Sequence, residues 1–145
     1  MRRFLSLVTL CLITLSHSWL VSAKNNPVII FSAEQASQVI APNEPPFWTP
    51  TAKQIVLLES LLASHLKSKP PRNGKPVLKP LEYSRQYIGV TKNGHKLIYL
   101  NAFCSQIKGW HERFVMVLDG GSCYFQVYFD LAGQKFSELQ YNGNA

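Results

Sequence analysis

Residues 114–129 read Phe114-Val115-Met116-Val117-Leu118-Asp119-Gly120-Gly121-Ser122-Cys123-Tyr124-Phe125-Gln126-Val127-Tyr128-Phe129. Two runs rich in β-branched and aromatic residues flank Asp119-Gly120-Gly121-Ser122, and glycine there supplies the positive φ that a tight hairpin demands. In the second run Cys123, Phe125, Val127 and Phe129 alternate with Tyr124, Gln126, Tyr128 and Asp130. A period of two sends the first set into a core and turns the second, polar-aromatic set outward. The stretch is therefore expected to form a hairpin with one buried face.

A buried sheet face needs a covering layer, and the sequence offers one helix for it. Ile55, Leu58, Leu62 and Leu66 recur at spacings of three and four, and Val56, Leu57 and Leu61 widen that apolar stripe. Pro50 is tolerated at a first-turn position and Thr51 with Gln54 has the spacing of a capping box, so a helix is predicted over 51–67. His65 stands near its C-terminal end, where a cation would meet the favourable end of the helix dipole.

The rest of the chain adds strands. Ser32 and Gln35 form a second capping box, which predicts a short helix through Ile40. Pro42, Pro45, Pro46 and Pro50 then interrupt regular structure, with Phe47 and Trp48 expected to pack onto the domain. Residues 69–80 hold four prolines and Asn73-Gly74 and read as a loop. A strand over 81–91, the hairpin signal Asn93-Gly94 and a strand over 96–103 follow. A connection containing Gly109-Trp110-His111 leads into the 114–129 hairpin, and a last strand over 135–141 closes the sheet. The expected fold is α+β: one long N-terminal helix packed on an antiparallel meander of four to five strands.

The N-terminus reads as an export signal. Met1-Arg2-Arg3 precedes an apolar run from Phe4 to Leu15, and Val21-Ser22-Ala23 places small residues before a cleavage bond at Ala23-Lys24. That run is roughly 12 residues, short of the roughly 20 of a spanning helix. Cys11 lies inside the run behind the bulky Leu10, which does not suit lipid attachment. The expected organisation is a signal peptide at 1–23, an extended, proline-rich segment at 24–48 and a single domain at 49–145, in the periplasm or secreted, with no membrane span once the signal is removed.

The whole chain carries 15 basic and 8 acidic side chains, a net charge of +7. Losing Arg2 and Arg3 with the signal lowers this to +5, concentrated in Lys67, Lys69, Arg72, Lys75 and Lys79. For an exported domain this suits solubility and weak attraction to an anionic envelope polymer; no nucleic-acid motif accompanies it. Cleavage leaves Cys104 and Cys123, and an oxidising compartment favours one disulfide, closing a loop of about 20 residues worth roughly 3 kcal/mol. A simple meander opposes it. With strands at 96–103, 113–118 and 123–130, the two cysteines fall at opposite ends of the middle strand, beyond the Cα separation of about 7 Å that a bridge tolerates. Either residues 105–112 fold back along the sheet, or the strand order is not sequential, or both thiols stay free.

Few residues carry chemistry. Cys104 or Cys123 with His111 has the composition of a thiol nucleophile and base, but nothing local depresses a thiol pKa. The sequence has neither clustered metal ligands nor paired carboxylates, and Gly120-Gly121 lacks the strand–loop–helix context and lysine of a phosphate cradle. No cofactor is expected. Surface remains: Tyr124 and Tyr128 share a strand face with Gln126, Tyr99 joins them from a neighbouring strand, and Trp110 sits in a loop. Rigid amphipathic aromatics suit binding; the competing expectation is that residues 24–48 cover the tyrosines.

Arg85-Gln86-Tyr87-Ile88-Gly89, Leu97-Ile98-Tyr99-Leu100-Asn101-Ala102-Phe103-Cys104, Asp119-Gly120-Gly121-Ser122-Cys123-Tyr124-Phe125 and Asn142-Gly143-Asn144-Ala145 resemble segments of small secreted bacterial proteins of no assigned activity. That resemblance covers roughly 80–145, implies no catalytic residues, and favours a structural bridge between the cysteines. Helix followed by meander is also similar to the layout of cystatins, which are protease inhibitors. Their Gln-x-Val-x-Gly loop is not reproduced by Gln86-Tyr87-Ile88-Gly89-Val90, and Gly109 stands where they have proline before tryptophan. The expected role is a non-enzymatic binding or inhibitory module for another protein, with a thiol enzyme or a structural envelope protein as alternatives.

Overall fold

Thr51 opens the principal helix as its spacing predicts: its hydroxyl accepts from the N–H of Gln54, whose side chain accepts from the N–H of Thr51. In the computed structural model, which describes residues 28–39, 46–72 and 79–143, the chain runs β1 (Val28–Ile30), α1 (Ala33–Val39), β2 (Phe47–Trp48), α2 (Ala52–Ser68), β3 (Ser84–Lys92), β4 (His95–Phe103), β5 (Tyr124–Asp130) and β6 (Lys135–Tyr141). The expected signal segment 1–23, its cleavage bond, and positions 73–78 of the 69–80 loop lie outside the described residues.

The helix stripe meets one sheet face. Ile55, Leu58, Leu62 and Leu66 of α2 pack with Tyr87 of β3, Ile98, Leu100 and Ala102 of β4, and Phe125, Val127 and Phe129 of β5. Each buried Val, Leu, Ile or Phe among them contributes about 1.5–3 kcal/mol. Arg85, only 3% exposed, lies within this layer and is satisfied there. Its Nε pairs with Glu59 Oε1 at 2.8 Å, and its guanidinium also donates to the carbonyls of Pro80 and Tyr83. The Tyr87 hydroxyl donates to the same Glu59 oxygen at 2.8 Å. Glu59 thus ties α2 to β3 from the partly exposed side of the helix; burial, foremost, and the adjoining carboxylate raise the Tyr87 pKa well above its ordinary value.

The opposite face has its own small core. Phe31, Ala36 of α1, Ile88 and Val90 of β3 and Leu97 of β4 are buried together, with Ile29, Phe47, Tyr99, Phe114 and Tyr128 packed around them. Reciprocal bonds between Ser32 and Gln35 start α1, as their spacing predicts.

Two features correct the expected layout. Helix α2 has 17 residues and follows β1, α1 and β2, so it is neither long nor N-terminal. Among the described residues the sheet has six strands and is mixed: β3-β4-β5-β6 is an antiparallel meander, while β1 pairs with β3 in parallel and β2 pairs with the other half of β3 antiparallel. Segments of three and two residues carry too little periodicity to be read as strands, and β3 supplies the edge that orders them.

The 114–129 hairpin is also corrected. Residues 113–120 join no strand, and β5 pairs directly with β4 from Leu97↔Asp130 to Phe103↔Tyr124. The first arm of the expected hairpin is a strap laid across the sheet. Its course explains the surface described next.

Candidate functional site

Gln86, Asn101, Gln126 and Gln140 occupy matched positions on β3, β4, β5 and β6, so four side-chain amides form one row across the face opposite α2. The first three bond to one another or to the strap. Gln86 Nε2 donates to the carbonyls of Trp110 and Arg113, and Gln86 Oε1 accepts from the Val115 N–H at 2.9 Å. Asn101 Nδ2 donates to Gln86 Oε1 and to the Val115 carbonyl. Gln126 Nε2 reaches Asn101 Oδ1 and Asn142 Oδ1, while Asn142 Nδ2 donates to the carbonyls of Val117 and Asp119. Buried amides must be paired, and here the backbone of an extended segment pairs them. The strap therefore crosses the strands, passing from β3 at Arg113 to the end of β6 at Asp119.

Both ends of the strap are fastened. Cys104 and Cys123 form a disulfide with Cα atoms 5.1 Å apart, beside the last ladder pair, and the Cys104 N–H donates to the Cys123 carbonyl. The geometric objection raised by a simple meander disappears because the intervening segment leaves the sheet. Gly120 (φ 90°) and Gly121 (φ 57°) turn the strap into β5, and a Cβ on Gly120 would lie 2.5 Å from the Tyr124 ring. The Gly121 N–H donates to the Gly143 carbonyl, and the Tyr83 hydroxyl to the Ser122 carbonyl.

Side chains alternate along the strap. Val115 is buried and Val117 half-buried, whereas Met116 is 75% and Leu118 88% exposed. Phe114 is half-buried against Tyr99, with ring centroids 6.1 Å apart. Among the described residues, the backbone N–H and C=O groups of Phe114, Met116 and Leu118 make no hydrogen bond. Beside the strap lies a groove of about 350 Å³, lined by Tyr99, Gln126, Gln140, Asn142 and strap residues 114–118.

The four aromatic residues singled out from the sequence fall on two sides of the amide row. Tyr99 and Tyr128 lie with ring centroids 4.9 Å apart, tilted by 49°, on one side, with the Lys92 ammonium 5.1 Å from the Tyr128 ring and bonded to Glu138. On the other, Tyr124 hydrogen-bonds the Ser105 hydroxyl, and Trp110 lies half-buried with its ring 5.7 Å from that of Phe103, edge-on. Phe47 packs on the same sheet face as Tyr99, whereas Trp48 turns to the helix side. Cover therefore comes from the strap as well as from residues before α2. Sequence reasoning missed Met116 and Leu118 as surface, because alternation in 114–118 reads alike for a half-buried strand and a strap.

His111 pairs with neighbouring Glu112 at 3.5 Å, and both sulfurs of the thiol alternative are joined in the disulfide. No group of three or more His, Cys, Asp or Glu able to hold a metal occurs among the described residues. No helix among them is long and apolar enough to cross a membrane. Two displaced pKa values lie away from the strap. Burial and then Lys69 lower that of His65, and burial followed by Tyr83 pushes Tyr141 up to about 12. Compared with family models, curated proteins and solved structures, the chain finds no match.

Proposed function

We propose that this chain is an exported, non-enzymatic protein-binding module whose contact surface is the strap and the tyrosine groove beside it. One observation carries the proposal: Met116 and Leu118 stand exposed on a segment immobilised by a disulfide and an amide row. Large apolar side chains on a surface usually lie in mobile loops or scattered singly. Here they follow one another on a fixed backbone, so little ordering entropy is lost when a partner covers them. Tyr99 and Tyr128 extend the surface with rigid aromatics of low conformational cost. Export rests on the basic and apolar residues at the N-terminus and on the disulfide's preference for an oxidising compartment.

The test is capture from envelope extract by the disulfide-bonded chain. Native protein is compared with Met116→Ser/Leu118→Ser, Tyr128→Ala and Trp110→Ala forms. The proposal expects at least one protein held by the native form and lost with the strap double variant. Equal capture by native and variant chains would remove the strap as the contact surface.

A further inference from the structure

The strap's free carbonyls belong to alternate residues, as they do along a strand edge. The Arg113, Val115, Val117 and Asp119 carbonyls all accept from Gln86, Asn101 or Asn142, and the Val115 N–H donates to Gln86. The N–H and C=O groups of Phe114, Met116 and Leu118 are unpaired among the described residues. Burial alternates over 115–118 and carbonyl bonding alternates over 113–117, which is the course of an extended chain, and the backbone bends at Leu118. An edge of this kind recognises another extended backbone.

We propose that the occupant is a second copy of this chain, its strap lying antiparallel to the first with Met116 opposite Met116. Three observations converge on that register. In an antiparallel pair, residues directing their N–H and C=O toward the partner must face residues doing the same. Centring on Met116 sets Phe114 opposite Leu118 and Met116 opposite itself, so the N–H and C=O groups of these three residues all gain a partner. The exposed apolar side chains, Met116 and Leu118 with half-buried Phe114, then gather on one side of the joined straps. Arg113 falls opposite Asp119 at both ends, and both are exposed. Arg113 spends one N–H on the Lys108 carbonyl, at 2.9 Å, and has others to give. Shifting the register by two residues loses the charge pairing and leaves one backbone pair unmade. A two-fold contact is isologous and closes at two copies.

This inference rests on the strap being a docking edge, and it names the partner. The ladder is short, so association is expected in the weak range and is followed by sedimentation of the disulfide-bonded chain from about 10 µM to about 1 mM. The native chain should shift from monomer to dimer across the series. Arg113→Asp sets two acids against each other at both ends, and Asp119→Arg sets two bases. Each variant alone should associate about tenfold more weakly than native. Mixed in equal amounts, the two should recover native-like association, because every acid then faces a base, and recovery also shows that both variants fold. A native chain monomeric throughout overturns the pairing, as do single variants that associate like native or a mixture that stays monomeric. Capture of an envelope protein by such a monomeric chain would leave the binding-module proposal standing without this partner.

Discussion

Gln86 donates to two strap carbonyls and accepts from the Val115 N–H, all within a face where it is fully buried. Gln86→Leu preserves volume but removes every one of these partners, leaving the buried Val115 N–H unpaired. The expected loss is about 1–3 kcal/mol, read as a lower urea midpoint. Amide exchange should quicken at residues 113–119 while α2 stays protected; uniform quickening would deny the row its particular hold on the strap. His65 makes a second residue-scale case. Its ring stacks 4.6 Å from Phe136, its Nε2 is buried without a partner, and burial favours the neutral form. Because the folded pKa lies below the ordinary 6.5, the unfolded chain takes up the proton first as pH falls. Stability should therefore decline below about pH 6.5 and level off once the folded form is protonated too. His65→Gln should flatten that decline, and an unchanged slope would assign it to other groups.

Among the elements, those resting on local pattern were legible in the sequence. The Ile55–Leu58–Leu62–Leu66 stripe is the buried face of α2, Asn93-Gly94 joins β3 to β4, and the alternation through 123–130 is the in–out pattern of β5. What escaped was decided by partners distant in sequence. Val115 and Val117 alternate with Met116 and Leu118 as strand residues would, yet their backbone bonds go to Gln86, Asn101 and Asn142, which no local pattern reveals. The exposure of Met116 and Leu118 escapes local pattern for the same reason. Strand β2 depends on Gly89 in a comparable way. A Cβ there would come within 2.5–2.6 Å of the Trp48 ring and closer still to its carbonyl oxygen. Gly89→Ala should displace Phe47–Trp48 from β3, break the bond from Trp48 Nε1 to the Val90 carbonyl, and cost about 1–3 kcal/mol. Tryptophan emission and thermal unfolding measure both; native emission and stability would show that β2 yields without penalty.

For the molecule as a whole, the disulfide sets how firmly the strap is held. Its sequence separation of 19 corresponds to roughly 3 kcal/mol of stability through restriction of the unfolded chain. Cys104→Ser/Cys123→Ser should lower stability by about that much while leaving the β4–β5 ladder intact, since seven matched pairs adjoin it. Far-ultraviolet dichroism and urea unfolding together check this, and loss of the sheet signal would mean the bridge is needed for the fold itself. The bridge has one more consequence. The disulfide joins residues 104 and 123 just beyond the ends of β4 and β5, so the polypeptide between them is a closed ring, with Lys108 and Arg113 available to a trypsin-like enzyme on its exposed rim. Hydrolysis after either residue opens the ring without releasing a fragment. The severed pieces travel as one body until a reductant parts them, so a clipped and an intact molecule differ by a single added water in mass and separate only on a reducing gel.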